Sequence, residues 1–509
     1  MSQSNYIVII ILLATCIVLI YTNQYNTPLQ SLHNTQYLLA AHPDTTNDQQ
    51  GTPHHVNTVH SNTVPATLSI NEYRLMNVYN KLLHNQPVTI GVVGGSNSVG
   101  VCVMNRTNII YDQFINYLNM QYTTPNNHTL INSARSATTS ESTSWCIHDL
   151  FDSSVHQLAN QIDLLFVDFA VNDIQNDNNI LSMDSDSAAP DNNFVVTNVE
   201  RLVRNIQSTS RTALFFLYFA QQNDRGSYTN TEQNHEIVAQ YYSIPSISLK
   251  NHIMYLYRTP PYSYLLDTAF NRDYRTQEDI QPDIRLQTFH HGIHATDLGH
   301  TLFYSLLRDK FNTMISAYQI NYQANNIYNT TNNNTIINTN YTVHNTNRLV
   351  TSQPLLTPLS SDNKYTQFGG GIICQLIMTR HGFERHYIDQ WLSIIYSNNF
   401  DFTIYNGRTD KAGLQSAIQA SSQLIFETPV DTNTLTLLYL RSWKSMSNCT
   451  ATVNNNTDVQ YHIDGHWDNP NSQLAMYHIP LPIYHKKSQV LLDCEAGMFF
   501  IFGTMYIKR

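Results

Sequence analysis

Residues 87–100 read PVTIGVVGGSNSVG. Thr89, Ile90, Val92 and Val93 are β-branched and mostly apolar, as an interior parallel strand requires. Gly94 and Gly95 then permit a sharp turn that brings Ser96 to the strand's C-terminal edge, where open α/β sheets place their ligands. By itself a Gly-Gly-Ser turn also fits an ordinary connection in which Ser96 caps a helix. Its meaning depends on what the rest of the chain brings to the same edge.

Working outward, strands alternate with helices. Leu75, Val78, Tyr79 and Leu82 recur at helical spacing ahead of the strand. A helix is expected over 109–118, a second strand over 129–132 and a third, DLLFVDFA, over 163–170. Residues 195–208 read as a helix with Val196, Val199 and Leu202 inward and Arg201 and Arg204 on the wet side. Residues 213–219 (ALFFLYF) form a fourth strand, 244–248 a short fifth and 296–311 a closing helix. This alternation predicts a parallel sheet in a three-layer, flavodoxin-like α/β domain over 66–318. An Asn/Thr-rich tract at 319–350 reads as a linker. Beyond it, short alternating segments such as QLIFET (423–428) and TLTLLYL (434–440) predict a β-sandwich over 351–509.

The bulk properties fit a two-domain globular protein: 509 residues, 42% hydrophobic and only 13% charged. A net charge of −10 with no Lys/Arg cluster excludes nucleic acid as the main partner. The apolar run at 6–21, YIVIIILLATCIVLIY, lies between a signal-peptide core and a spanning helix in length. No Ala-x-Ala-like cleavage site follows. The expectation is therefore a single-pass signal anchor with a lumenal or extracellular catalytic body on a polar stem (22–65), the alternative being a secreted protein. Sequons at Asn105, Asn127, Asn329, Asn333, Asn340, Asn448 and Asn455 agree with a glycoprotein on the secretory route. No CxxC pair suggests zinc; the expected disulfides are Cys102–Cys146 and Cys449–Cys494, one per domain.

Three strand ends and one late loop carry the chemistry. Ser96 ends the first strand, INSARSATTS (131–140) follows the second, and Val171-Asn172-Asp173 follows the third. HHGIHATDLGH (290–300) stands ahead of the closing helix. A serine hydroxyl needs an adjacent imidazole to take its proton, and the tetrahedral intermediate needs donors aimed at its oxyanion. These four segments, in order, resemble the four blocks of the SGNH (GDSL-type) hydrolases. Gly94-Gly95-Ser96 stands where that family has Gly-Asp-Ser, so the resemblance implies Ser96 as nucleophile. It implies His294 as base, and the Ser96 N–H, the Ala137 N–H and the Asn172 side chain as oxyanion donors.

The chain departs from the family at four places. Gly95 replaces the Asp of the first block, Ala137 the glycine of the second, and Ala295 a proline beside the base. Ala137 serves only if its backbone stays in a region open to alanine. The fourth departure is His291, three residues before His294, where the family carries the Asp that orients its imidazole. Three readings follow: a Ser–His dyad, a substitute partner in Asp297, or an inactive site. Asp297 equally suits a helix cap. The histidines at 290, 291, 294 and 300 invite a metal reading, but no third ligand is placed on the face shared by 291 and 294.

The resemblance thus implies a serine ester hydrolase or acyl transferase that needs no cofactor. Its substrate is an acylated glycan or a lipid, the appended sandwich favouring a sugar-borne acyl group. The alternative is a catalytically inactive glycan-binding or surface protein. Trp145, Trp391, Trp443 and Trp467 are expected in cores or interfaces.

Overall fold

The computed structural model describes residues 68–151, 162–173, 193–222, 228–252, 289–290, 294–331, 372–376, 394–404, 412–442, 446–466, 472–482 and 486–508. Helix α1 (Ile70–Leu83) opens with a capping box: Ser69 Oγ accepts from the Glu72 N–H, and the Glu72 carboxylate accepts from the Ser69 N–H. There follow β1 (Thr89–Gly94), α2 (Ser96–Val99), α3 (Ile110–Gln121), β2 (Thr129–Asn132), α4 (Ser140–Phe151) and β3 (Leu164–Asp168). Then come α5 (Phe194–Thr209), β4 (Ala213–Tyr218), α6 (Glu232–Tyr241), β5 (Ser246–Ser248) and α7 (Asp297–Thr331).

The five strands pair in parallel in the order β2-β1-β3-β4-β5. This is the flavodoxin-like order, whose switch point lies between β1 and β3. The segments holding Ser96 and Asn172 therefore leave the sheet on either side of its natural crevice. One face of the sheet is covered by α1, α3 and α7, where Leu82, Phe114 and Phe311 bury against Ile90, Val92 and Phe166. The other is covered by α4 and α5 through Ile147, Phe151, Val199 and Leu202.

Two antiparallel sheets make up the described C-terminal region. Its strands are β6 (Ile372–Leu376), β7 (Ile394–Asn398), β8 (Phe400–Ile404), β9 (Ala412–Ser416), β10 (Ser422–Glu427) and β11 (Thr432–Arg441). They continue with β12 (Asn448–Val453), β13 (Gln460–Asp464), β14 (Gln473–Pro480), β15 (Gln489–Cys494) and β16 (Phe500–Lys508). One sheet runs β8-β9-β16-β11-β14 with β6 on β16; the other runs β7-β10-β15-β12-β13. Leu435, Leu437, Leu492 and Ile501 fill the space between them. The architecture is thus a parallel α/β sheet followed by a β-sandwich, as expected.

The two regions share a core. Leu438, Leu440, Leu474, Phe502 and Met505 of the sandwich join the cluster around α4 and α5, and residues 67–509 form a single unit. The fold corrects three expectations, two of them through that contact. Arg201 and Arg204 are buried, not wet. Arg201 lies over the half-buried Trp145 ring at 4.3 Å, and Arg204 donates to the Tyr242 hydroxyl at 3.1 Å. Arg201 is also close enough to help lower the pKa of His478 on β14, chiefly lowered by burial, so the second region covers what reads as the solvent side of α5.

The disulfide of the α/β region is Cys146–Cys374, joining α4 to β6, in place of Cys102–Cys146. Val103, next to Cys102, packs with the cluster on the opposite face of the sheet from Cys146, and Cys102 takes part in neither described disulfide. Cys449–Cys494 is present, the two residues being direct partners across β12 and β15. Finally, α7 continues to Thr331, beyond the predicted end at 311 and into the tract read as linker. No glycine or proline occurs between Gly299 and Pro354 to break it. No described helix is long and apolar enough to cross a membrane; residues 6–21 lie outside the described residues.

Candidate active site

Ser96 sits on the first residue of α2, immediately after the turn that ends β1. The turn is tight because Gly95 N–H donates to the Asp168 carbonyl at 3.1 Å. A Cβ at Gly95 would lie 2.5 Å from Nδ2 of Asn172 and 2.7 Å from its Cγ, so glycine is what lets that side chain approach the serine's own backbone. An aspartate at 95, as in the family's first block, would not fit this arrangement.

His294 arrives from the far end of the α/β region, in a two-residue ladder that pairs it with His290. Its Nε2 lies 2.7 Å from Ser96 Oγ, within hydrogen-bond distance and within reach of proton transfer. Asn97, which the sequence reading passed over, holds the two together: its Oδ1 accepts the Ala295 N–H at 2.8 Å. An asparagine directly after the serine was the only signal in the sequence, and its burial shows its use.

The turn after β2 lies beside this pair. Arg135 N–H donates to the Gly94 carbonyl at 2.9 Å and Thr138 Oγ1 to the same oxygen at 3.0 Å. Asn172 Nδ2 donates to the Thr138 carbonyl at 2.8 Å, which ties the third strand end to the second. Within the turn, Ala137 has φ of +68°, the left-handed region favoured by the glycine it replaces. Alanine there costs about 1–2 kcal/mol, the same order as the net worth of one hydrogen bond. Such a bond is present: the Leu474 N–H on β14 donates to the Ala137 carbonyl at 2.7 Å.

Asp173, next to Asn172, is buried and doubly used. One oxygen accepts the Ser140 N–H at the start of α4 at 2.8 Å; the other lies 2.9 Å from His235 Nε2. Under Ser96, Ser98 Oγ donates to Asp168 at 2.7 Å and also meets the Tyr111 hydroxyl at 2.7 Å. Burial pushes the Asp168 carboxyl up to about 7, with nearby Asp173 adding to the rise against the Ser98 and Phe219 hydrogen bonds. Glu141 is likewise raised to about 7, by burial first and by Asp173 second.

Two other candidates are placed elsewhere. Asp297 begins α7, but its carboxylate accepts from Met104 N–H at 2.9 Å, Asn105 N–H at 3.2 Å and Asn108 Nδ2 at 2.8 Å. Partial burial raises its pKa, yet these bonds outweigh that and leave it lowered. It anchors the 104–108 segment through these three bonds. His300 is fully buried, its Nδ1 accepting the Ile110 N–H at 3.3 Å, and burial drives its pKa down to about 3. It is a neutral core imidazole. His291 lies outside the described residues, and no cluster of three potential metal ligands occurs among those described.

No protein-family model matches the chain. No curated protein matches it either. Among solved structures it is similar to a two-domain esterase (CEX) active on acetylated mannans, co-crystallised with mannopentaose. The two are 15% identical, with a TM-score of 0.49, covering 86% of this chain and 95% of that one. A second structure of that esterase has a TM-score of 0.48 at 15% identity, over 86% of this chain and 96% of that one. The C-terminal CBM6 of a marine laminarinase from Zobellia galactanivorans is 16% identical with a TM-score of 0.18, over 23% of this chain and 94% of that one.

Proposed function

We propose that the protein is a serine esterase that removes, or transfers, an acyl group carried by a glycan. The 2.7 Å contact between Ser96 Oγ and His294 Nε2, at the switch point of a parallel sheet, carries the reading. His294 takes the hydroxyl proton as Ser96 Oγ bonds to the ester carbonyl carbon. The carbonyl π pair moves onto oxygen, where the Ser96 N–H, the Ala137 N–H and Asn172 receive it. An amide nitrogen carries two hydrogens, so Asn172 can hold the Thr138 carbonyl with one and the oxyanion with the other.

Collapse of the intermediate breaks the bond to the alkoxy oxygen, which leaves as the alcohol with the proton from His294. Water, activated by His294, then attacks the acyl-enzyme and releases the acid. A sugar hydroxyl in place of water makes the same site a transferase. Asp297 is engaged by the 104–108 segment, and the bond from the Ala295 N–H to Asn97 holds the chain beside His294 against the residue next to the nucleophile.

Acetylated mannan, the substrate named for the two-domain esterase, is the first polysaccharide to assay; a lipid ester is the second. Two disulfides fit an oxidising compartment, and with the apolar run at 6–21 they support a secretory, membrane-anchored address. A fluorophosphonate probe is the direct test. Modification at Ser96, absent in Ser96→Ala and weakened in His294→Ala, is the expected result. A well-folded sample that stays unlabelled and inert towards 4-nitrophenyl acetate would instead make the protein a binder.

A further inference from the structure

We propose that the C-terminal sandwich positions the oxyanion turn, with the backbone N–H of Leu474 as the positioning group and Cys146–Cys374 as the clamp behind it. This rests on the esterase reading given above. Ala137 is held at φ of +68° in a turn whose N–H groups are useful only if they point into the crevice. Nothing in alanine favours that conformation. Returning to negative φ would rotate the Ala137 N–H relative to its carbonyl, and the carbonyl is the atom that Leu474 N–H grips at 2.7 Å.

Leu474 is suited to this. It lies on β14, the edge of its sheet, and pairs with Leu440 of β11 on the inner side. Its outward N–H is taken by the turn, which thus completes an otherwise open sheet edge. Side chains make the same connection: Ala137, Cys146, Leu438, Leu474 and Phe502 belong to one buried cluster. Arg135, Ser136 and Thr138 share a small cavity with Leu438, Leu474 and Phe502. The helix that continues from the turn, α4, is bonded covalently to β6 through Cys146–Cys374. The turn is held at the front by its own sheet and at the back by the sandwich.

The test compares Leu474→Pro with Leu474→Ala in the full chain, on 4-nitrophenyl acetate. Proline is tolerated where an edge strand's N–H points outward, so it deletes the donor and leaves the ladder to β11. Losing one oxyanion donor outright costs about 10²–10³ in kcat, so misplacing it is expected to lower kcat at least about tenfold below that of Leu474→Ala, with KM within about twofold. Adding Ala137→Gly to Leu474→Pro should recover most of that loss, because glycine reaches positive φ unaided. Equal kcat for the proline and alanine variants overturns the proposal, as does a loss that Ala137→Gly leaves untouched.

If Leu474→Pro does not fold, Cys146→Ser/Cys374→Ser is read the same way. Lower kcat at constant KM, restored by Ala137→Gly, supports the proposal; unchanged kcat overturns it. Failure of the esterase reading shows separately, as hydrolysis that survives Ser96→Ala.

Discussion

The turn that carries Ser96 and the turn that carries Ala137 lie side by side, yet they are secured from different parts of the chain. Residues 94–100 are braced within the α/β region. Gly95 bonds to Asp168, Ser98 to Asp168 and Tyr111, Asn132 Nδ2 to the Ser98 carbonyl at 2.9 Å, and Asn97 to Ala295. Residues 134–139 share Gly94 and Asn172 with that region but depend on β14 for the bond behind Ala137. Where the support is local, a glycine stands at 95 for space, in place of the family's aspartate. Where the support comes from another region, an alanine stands in a glycine's conformation.

The largest expected effect breaks the first of these two turns. Ser96→Ala should reduce kcat for 4-nitrophenyl acetate by at least about 10³-fold, as removal of a serine nucleophile does elsewhere. Steady-state kinetics on a sample with unchanged circular dichroism check this. Asn172→Ala touches both turns at once, losing an oxyanion donor and the anchor on Thr138. A fall of about 10²–10³ in kcat with little change in KM is expected.

Asp297→Ala sharpens the comparison by separating brace from chemistry. A triad acid would cost about 10⁴ in rate when altered. A carboxylate that only holds the 104–108 segment should cost less than about tenfold in kcat, with a lower Tm. That brace is also acid-sensitive: with its pKa lowered in the folded protein, Asp297 contributes stability above its unfolded pKa that is lost as pH falls.

Asp168 behaves the other way. Its folded pKa of about 7 exceeds the model-peptide value of 3.8, so the folded protein binds more protons than the unfolded chain between those limits. Stability from this group is therefore highest at the acid end and declines as pH rises towards 7. Thermal melts of Asp168→Asn between pH 5 and 7 should show a flatter dependence of Tm on pH than the unaltered protein. The smallest effect is expected at Ala137→Gly. Relief of the left-handed strain is offset by glycine's unfolded-state entropy, leaving a change within about 1 kcal/mol and a kcat equal or slightly higher.

Much of this site was legible before any coordinates because its parts are marked by chain chemistry. Strand 89–94 announces itself by β-branched residues and ends at glycines, and 164–168 by an unbroken apolar run. Ser96 and His294 follow from where those strands stop and where the late histidine loop falls. Other parts carried no such mark. Leu474 acts through a backbone N–H that every residue but proline owns, so no side-chain pattern exposes it. Arg201 and Arg204 sit at positions that face water in an isolated helix, and only the covering sandwich reverses that. The partner of Cys146 depends on which face of the sheet each sulfur occupies, which spacing along the chain does not encode.

The bond between Cys146 and Cys374 has a temporal consequence, since 228 positions separate its ends. At synthesis rates of about 5–20 residues per second, sulfur 146 waits roughly 10–45 s for the sulfur that will join it. Until the later thiol emerges, the nascent chain has Ser96, His294 and all five strands of the parallel sheet but no disulfide behind α4. On the proposed mechanism, activity is expected only once the last third of the polypeptide is made, and a truncated chain is expected to be silent.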